Sequence, residues 1–254
     1  MDMLFAIKLI VTPLLMLLVS LSARRWGSFV GGILSGMPLT SGTISIYMAI
    51  EQGVYFAQHA ALSSLAGVGA VQLTYLYYIA LMRHSLYIIC SSSVLFFCGI
   101  SWLLLDVNST ALNICVIVSA ISGILVFTRR YGALSFNRQP PSFDLTSRIL
   151  IATAMVLVIT ASANAIGSTL SGILAPVPVI AWPLTVFTQI HYGRTDTVTV
   201  IRGNAISGVG VLAFYLIVEQ YITQAGFVFT FSIAICVALL VTFFILFLLK
   251  KLPC

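Results

Sequence analysis

Charge is what this sequence has least of. Only 7% of its 254 residues are Asp, Glu, Lys or Arg, whereas 60% are hydrophobic. Soluble domains carry about 25% charged residues. The mean hydropathy is +1.12. These values exclude a soluble globular protein and predict an all-α polytopic membrane protein, since about 20 apolar residues make one membrane-spanning helix.

Sequence signatures of enzymes and metal sites are also missing. There is no H-E-x-x-H, no G-x-S-x-G and no phosphate-binding glycine loop with a lysine, and the three His and six acidic residues are scattered. The cysteines show no C-x-x-C spacing, and the four within apolar runs are expected to be buried and reduced. We therefore expect no enzymatic activity, no cofactor and no metal. The net charge of +6 is assigned to cytoplasmic loops rather than to nucleic-acid binding.

Apolar runs predict about nine transmembrane helices. With the N-terminus outside and every run crossing, eleven of the twelve basic residues lie on the cytoplasmic side, and only Lys8 lies toward the outside. The C-terminus is then cytoplasmic. The predicted spans lie near 3–22, 28–50, 54–82, 85–105, 110–128, 147–165, 168–190, 197–221 and 225–249.

One stretch of the chain occurs twice, at positions whose numbers differ by 140. G-S-F-V-G-G-I-L begins at Gly27, G-S-T-L-S-G-I-L begins at Gly167, and ten of the 32 positions in 22–53 are identical to those in 162–193. This repeat offset corresponds to five spans, an odd number, so the copies are expected to have opposite orientations. The predicted domains are a first membrane repeat of four helices at 1–106, a linker helix and cytoplasmic loop at 107–145, and a second, inverted four-helix repeat at 146–254.

Glycine and proline interrupt the second predicted span. Gly36 and Pro38 weaken a helix through backbone entropy and a missing N–H donor. Thr40 or Ser41 then stands where a second half-helix would need an N-cap, and Gly42 follows. The sequence therefore predicts a discontinuous second helix.

Three prolines interrupt the seventh predicted span. Pro176 and Pro178 predict an extended segment over 175–182, and Pro183 suits the first turn of a new half-helix. Paired breaks of this kind mark the substrate site in many transporters with inverted repeats. The predicted substrate-binding residues are Gly36, Pro38, Thr40, Ser41, Gly42, Pro176, Pro178, Trp182 and Pro183.

Few ionisable residues lie near the membrane interior. Glu51 and His59 are spaced two helical turns apart and would form an outer gate or proton-coupling pair. His191 and Arg194 would form the inner gate. The alternative for each is solvation at the membrane surface without a functional role.

Two motif regions resemble those of an uncharacterised family of bacterial multi-pass inner-membrane proteins. They are G-M-P-L-T-S-G at 36–42 with E-Q-G at 51–53, and L-A-P-V-P at 174–178. The resemblance implies a location in the bacterial inner (cytoplasmic) membrane. It supplies no substrate.

The favoured function is that of a secondary transporter, which moves a small neutral, amphipathic or mono-anionic metabolite by alternating access. An exporter is one form of this prediction. The expected partners are the lipid bilayer and the small-molecule substrate, and faces of small residues would serve a homodimer as well as the core of one chain. One alternative is a lipid or lipid-carrier flippase, which would have an apolar lateral opening and a basic inner rim of Arg24, Arg25, Arg129 and Arg130. The other is a non-transporting assembly or anchoring protein, with a tightly packed midplane.

Overall fold

The protein is helical throughout the part that the structure describes. This computed structural model describes residues 3–104, 107, 109–129 and 143–251. The helices of these residues are α1 (Met3–Trp26), α2 (Ser28–Gly36), α3 (Leu39–Gln52), α4 (Val54–Leu81), α5 (Leu86–Leu104), α6 (Thr110–Thr128), α7 (Phe143–Leu174), α8 (Ala181–Tyr192), α9 (Arg194–Ala225) and α10 (Phe227–Lys251).

Seven helical segments of the described residues are long and apolar enough to cross a membrane, with α2 and α3 taken together as one of them. The described part of the chain is thus all-helical and compatible with the predicted polytopic membrane protein. The helices α2 and α3 hardly touch each other, which is the arrangement of consecutive segments rather than of a hairpin. The seven segments are Ser28–Gln52, Val54–Leu81, Leu86–Leu104, Thr110–Thr128, Thr146–Ala163, Arg194–Ala225 and Phe227–Leu249.

Single glycines turn the chain from one helix into the next. Gly27 joins α1 to α2 with φ 93, and Gly167 kinks α7 with φ 77. Gly53 and Gly193 follow α3 and α8 with φ 91 and 81. These φ values are unfavourable for residues with a Cβ, which explains why glycine occupies all four positions. The repeat offset relates the members of both pairs, 27 with 167 and 53 with 193.

The helices α4 and α9 form the centre of the molecule, because they pack against each other and against most of the remaining helices. The backbone of α2 lies directly on α9, where a Cβ at Gly32 would collide with the carbonyl oxygen of Val200. The last part of α7 lies in the same way on α4, where a Cβ at Gly172 would collide with the carbonyl oxygen of Ala60. The two contacts are equivalent in the repeat, because Gly32 corresponds to Gly172 and Ala60 corresponds to Val200 at the offset of 140.

Two expectations about single residues are wrong. Cys98, Cys115 and Cys236 are exposed on helix faces rather than buried. Arg148, expected in a cytoplasmic loop, is a buried residue of α7, with its guanidinium 5.3 Å from the centre of the Phe187 ring. The reason is that α7 begins at Phe143 and so extends one turn beyond its apolar run.

Candidate functional site

The first helix break lies between α2 and α3. Met37 is extended, and α3 begins at Leu39 with Pro38 as its N-cap residue and without a side-chain cap. The predicted cap at Thr40 or Ser41 is therefore wrong, since both residues lie in the first turn of α3. The Pro38 carbonyl accepts the first helical hydrogen bond, from the Gly42 N–H at 3.0 Å, so the half-helix starts earlier than the hydroxyl side chains suggested.

The second break lies between α7 and α8. Its residues form turns, with hydrogen bonds from the Val177 N–H to the Leu174 carbonyl at 3.0 Å and from the Trp182 N–H to the Pro178 carbonyl at 2.7 Å. The predicted extended segment over 175–182 is therefore wrong. Buried backbone groups need partners, and local turns supply them here. Pro183 lies in the first turn of α8, as predicted.

The two breaks meet at one cavity of about 30 Å³. A water molecule needs about 10–15 Å³ on this measure, so the cavity has room for about two. Side chains and backbone of α2, α3, α4 and α9 complete its wall, and none of the lining residues is charged. The lining residues are Ser35, Gly36, Met37, Thr40, Ser41, Val68, Val71, Gln72, Pro176, Pro178, Asn204, Gly208 and Val211.

Gln72 is the polar side chain of this cavity that most needs a partner. It is only 2% exposed, and its Oε1 accepts no hydrogen bond from any residue that the structure describes. Asn204 of α9 is 4% exposed and lies across the cavity, with its side-chain amide next to Gly36. A buried acceptor without a donor costs about 1–3 kcal/mol. The cavity therefore favours a molecule that offers Gln72 an N–H or O–H group.

Tyrosines flank the two breaks in a related way. The Tyr215 hydroxyl lies against the side chains of Ser41, Ser45 and Ser64. The Tyr75 hydroxyl lies against Thr185. The repeat offset relates Tyr75 to Tyr215, and it relates Ser45 to Thr185 as well. Each tyrosine thus lies beside the half-helix that follows one of the breaks, and neither hydroxyl has a hydrogen bond to a described residue.

The structure places five of the nine predicted substrate-binding residues at the cavity: Gly36, Thr40, Ser41, Pro176 and Pro178. The other four lie outside its lining. Pro38 caps α3, Gly42 packs near the Phe214 ring, and Pro183 is buried within α8. Trp182 packs between Tyr75 and Tyr78, with ring centroids 6.3 and 6.2 Å away.

Sequence reasoning missed the cavity residues on the two central helices, Gln72 on α4 and Asn204 on α9. A single amide side chain in a transmembrane helix by itself favours a hydrogen bond to a neighbouring helix over a binding role. Their only signal is that each is a single amide side chain in a long, mainly apolar helix. That signal does not show which neighbour the side chain faces.

A second, apolar cavity of about 600 Å³ opens between α5 and α7, which hardly contact each other. Val71 and Pro178 line both this cavity and the small one at the breaks. Trp182 lies where the apolar cavity reaches the second break. The remaining lining residues are Thr74, Val94, Phe97, Cys98, Ala154, Met155, Val158, Ile159, Leu174 and Val177.

The predicted outer gate does not lie on one helix. Glu51 lies in the last turn of α3, His59 belongs to α4, and the turn at Gly53 separates them. The prediction that Glu51 and His59 lie two turns apart on one helix is therefore wrong. Both side chains are exposed, and the His59 Nδ1 lies 2.9 Å from the Tyr55 carbonyl oxygen.

The predicted inner gate residues flank another glycine turn. His191 lies in the last turn of α8 and Arg194 begins α9, with Gly193 between them. Both are exposed. The His191 ring stacks on the Phe187 ring with centroids 6.5 Å apart. The Arg148 guanidinium lies over the same Phe187 ring. His191 thus forms part of an aromatic and cationic cluster at one end of α8.

Comparison with known proteins adds no identification, since no family model, curated protein or solved structure matches the chain.

Proposed function

We propose that the protein is a secondary transporter that works by alternating access, with its substrate site where the two helix breaks meet. The observation that carries the proposal is the cavity at which the two breaks meet. Gly36, Thr40 and Ser41 line it from the first break and Pro176 and Pro178 from the second, and none of its described lining residues is charged. Irregular backbone at membrane depth is tolerated where it lines a cavity. In transporters, such breaks supply helix ends to a substrate.

The cavity offers both hydrogen-bond donors and an acceptor. Thr40 and Ser41 occupy the first turn of α3, whose N–H groups lack helical partners and carry a partial positive charge. The Gln72 Oε1 is an acceptor without a donor among the described residues. Because none of the described lining residues is charged, a multivalent cation is disfavoured. A neutral, amphipathic or mono-anionic metabolite with at least one N–H or O–H group fits this set.

The cavity of about 30 Å³ is too small to hold a metabolite. Small-molecule sites typically have volumes of about 300–1,000 Å³, roughly ten to thirty times as large. Transport therefore requires the helices around the breaks to separate, first on one side of the membrane and then on the other. Two inverted copies of the repeated stretch would supply two similar ways of opening. We place the protein in the bacterial inner membrane with the N-terminus outside and the C-terminus cytoplasmic.

Alternating access can be tested without knowing the substrate, through the chemical accessibility of residue 40. In a variant whose native cysteines are replaced by alanine, Thr40→Cys should react with a membrane-impermeant thiol reagent added to either side of the membrane. The matched control is Thr242→Cys, since Thr242 is buried in the middle of α10 and donates a hydrogen bond within its own helix. It should react from neither side.

Two results would contradict the proposal. If Thr40→Cys stays unmodified from both sides in a correctly inserted protein, the midplane never opens and the anchoring role is favoured. If it is modified from one side only, the cavity is a pocket and not a transport site.

A second candidate function is that of a lipid or lipid-carrier flippase. The observation that favours it is the apolar cavity between α5 and α7, which connects a lateral face of the molecule to Pro178 and Trp182. A substrate with an apolar chain could keep that chain in the apolar cavity while its polar end reached the small one. Arg24, Arg25 and Arg129 are described residues of the expected basic rim, and Arg130 lies outside the described residues.

Fluorescence of Trp182 tests whether hydrocarbon chains enter from the side. In a Trp26→Phe/Trp102→Phe variant, Trp182 is the remaining tryptophan. Vesicles of phosphatidylcholine with dibrominated acyl chains should quench it on contact. Ala154→Phe, which fills the apolar cavity, should protect it, whereas Ala161→Phe on an exposed part of α7 should not. Unquenched fluorescence would exclude lateral entry and leave the metabolite transporter.

A further inference from the structure

A third cavity, separate from both sites above, forms a groove on the outer surface of α4. The helices α5 and α6 both pack against α4 but hardly against each other, so a groove of about 950 Å³ remains between them. Its walls are mainly aliphatic and aromatic. The lining residues are Leu73, Leu76, Tyr77, Ile79, Ala80, Arg83, Phe96, Val126, Phe127 and Arg129.

The charge of this groove lies at one end. Arg83 follows the C-terminus of α4, and Arg129 follows the C-terminus of α6. Both are exposed and both line the groove, while none of its described lining residues is acidic. Two guanidinium groups lining one groove favour a ligand with a phosphate group, because each can donate paired hydrogen bonds to its oxygens.

The apolar part of the groove extends over most of the depth of one membrane leaflet. From Leu73 to the end of α4 at Leu81 the helix advances eight residues, or about 12 Å at 1.5 Å per residue. Half of a hydrocarbon core of about 30 Å is about 15 Å. Tyr77 and Phe96 stack with ring centroids 4.3 Å apart and form a rigid wall along this length.

We propose that this groove binds an anionic phospholipid of the surrounding bilayer, with its phosphate at Arg83 and Arg129 and an acyl chain along α4. Basic pockets between transmembrane helices recognise such headgroups. The site is distinct from the midplane cavity, because the two share no lining residue. It makes the packing of α5 and α6 on α4 dependent on lipid composition.

Native mass spectrometry of the detergent-purified protein tests this site. With equal amounts of phosphatidylglycerol and phosphatidylcholine, the wild-type protein should retain phosphatidylglycerol preferentially. Arg83→Gln/Arg129→Gln should lower that affinity by about 30-fold, which corresponds to about 1 kcal/mol for each arginine near a membrane surface. Ala80→Trp should also lower it, since the indole would fill the groove while leaving both charges in place.

The matched control is Arg24→Gln/Arg25→Gln, which removes two positive charges at the end of α1, outside the groove. This variant should keep the preference for phosphatidylglycerol. An equal loss in the control would show a general effect of surface charge and overturn the proposal. Retention of the preference in the Arg83/Arg129 variant, or no preference in the wild-type protein, would overturn it as well. The readout is lipid retention, so a failure here leaves the transport proposal untouched.

Discussion

Replacing Gln72 by methionine should make the protein more stable and less active at the same time. Methionine has the length of glutamine, without its polar atoms. In the wild-type protein the Gln72 Oε1 is buried and accepts no hydrogen bond from a residue that the structure describes, a state that costs about 1–3 kcal/mol. Removing it should stabilise the fold by about 1–2 kcal/mol. For a domain of this size that corresponds to a rise in melting temperature of about 2–8 °C.

The same substitution should impair transport, because the proposed substrate loses its hydrogen-bond acceptor. One such bond contributes about 1.4 kcal/mol at the upper part of its usual range, or about tenfold in affinity. The assay compares small molecules inside cells and in the medium for a strain without the protein, complemented by wild-type or variant protein. Melting temperature is measured on the purified proteins through tryptophan fluorescence.

Gln58→Met is the matched control, because Gln58 lies on the same helix but donates a hydrogen bond to the Glu219 carbonyl at 2.9 Å. Loss of this bond should destabilise the protein by about 0.5–1.5 kcal/mol and leave transport intact. The reasoning is refuted if Gln72→Met lowers the melting temperature as Gln58→Met does. It is also refuted if Gln72→Met restores the metabolite distribution fully, which would favour a structural role for the cavity.

The remaining predictions concern packing. Gly32→Ala and Gly172→Ala should each destabilise the protein by about 1–3 kcal/mol in thermal unfolding, because each added methyl group meets a neighbouring carbonyl. The control Gly99→Ala should not destabilise it, because a methyl group there meets nothing within 4 Å. Equal effects at all three positions would contradict this packing. Tyr78→Phe should cost about 0.5–1.5 kcal/mol in the same measurement, because it removes the 2.6 Å hydrogen bond to Gln189 that joins α4 to α8. An unchanged melting temperature would show that this bond contributes nothing.

The sequence by itself determined the class of the protein and the places where its helices break. Composition alone excludes a soluble fold, because so few charged residues cannot cover a surface in water. Gly27, Gly53, Gly167 and Gly193 stand where the backbone takes positive φ, which is a local steric requirement and can therefore be recognised in the sequence. The start of α8 around Pro183 follows from the fixed φ of proline in the same way.

Only the tertiary structure decided which residues share the cavity. The two breaks lie far apart in the sequence, and Gln72 of α4 and Asn204 of α9 line the cavity beside them. Whether these residues lie together depends on how the helices pack. Local hydrogen bonding also overruled two local predictions, the cap at Thr40 or Ser41 and the extended segment over 175–182. Backbone groups there found partners in turns, because water is unavailable inside the packed helices. Composition fixes the solvent in which this chain folds, whereas packing decides which of its few polar groups are left without a partner.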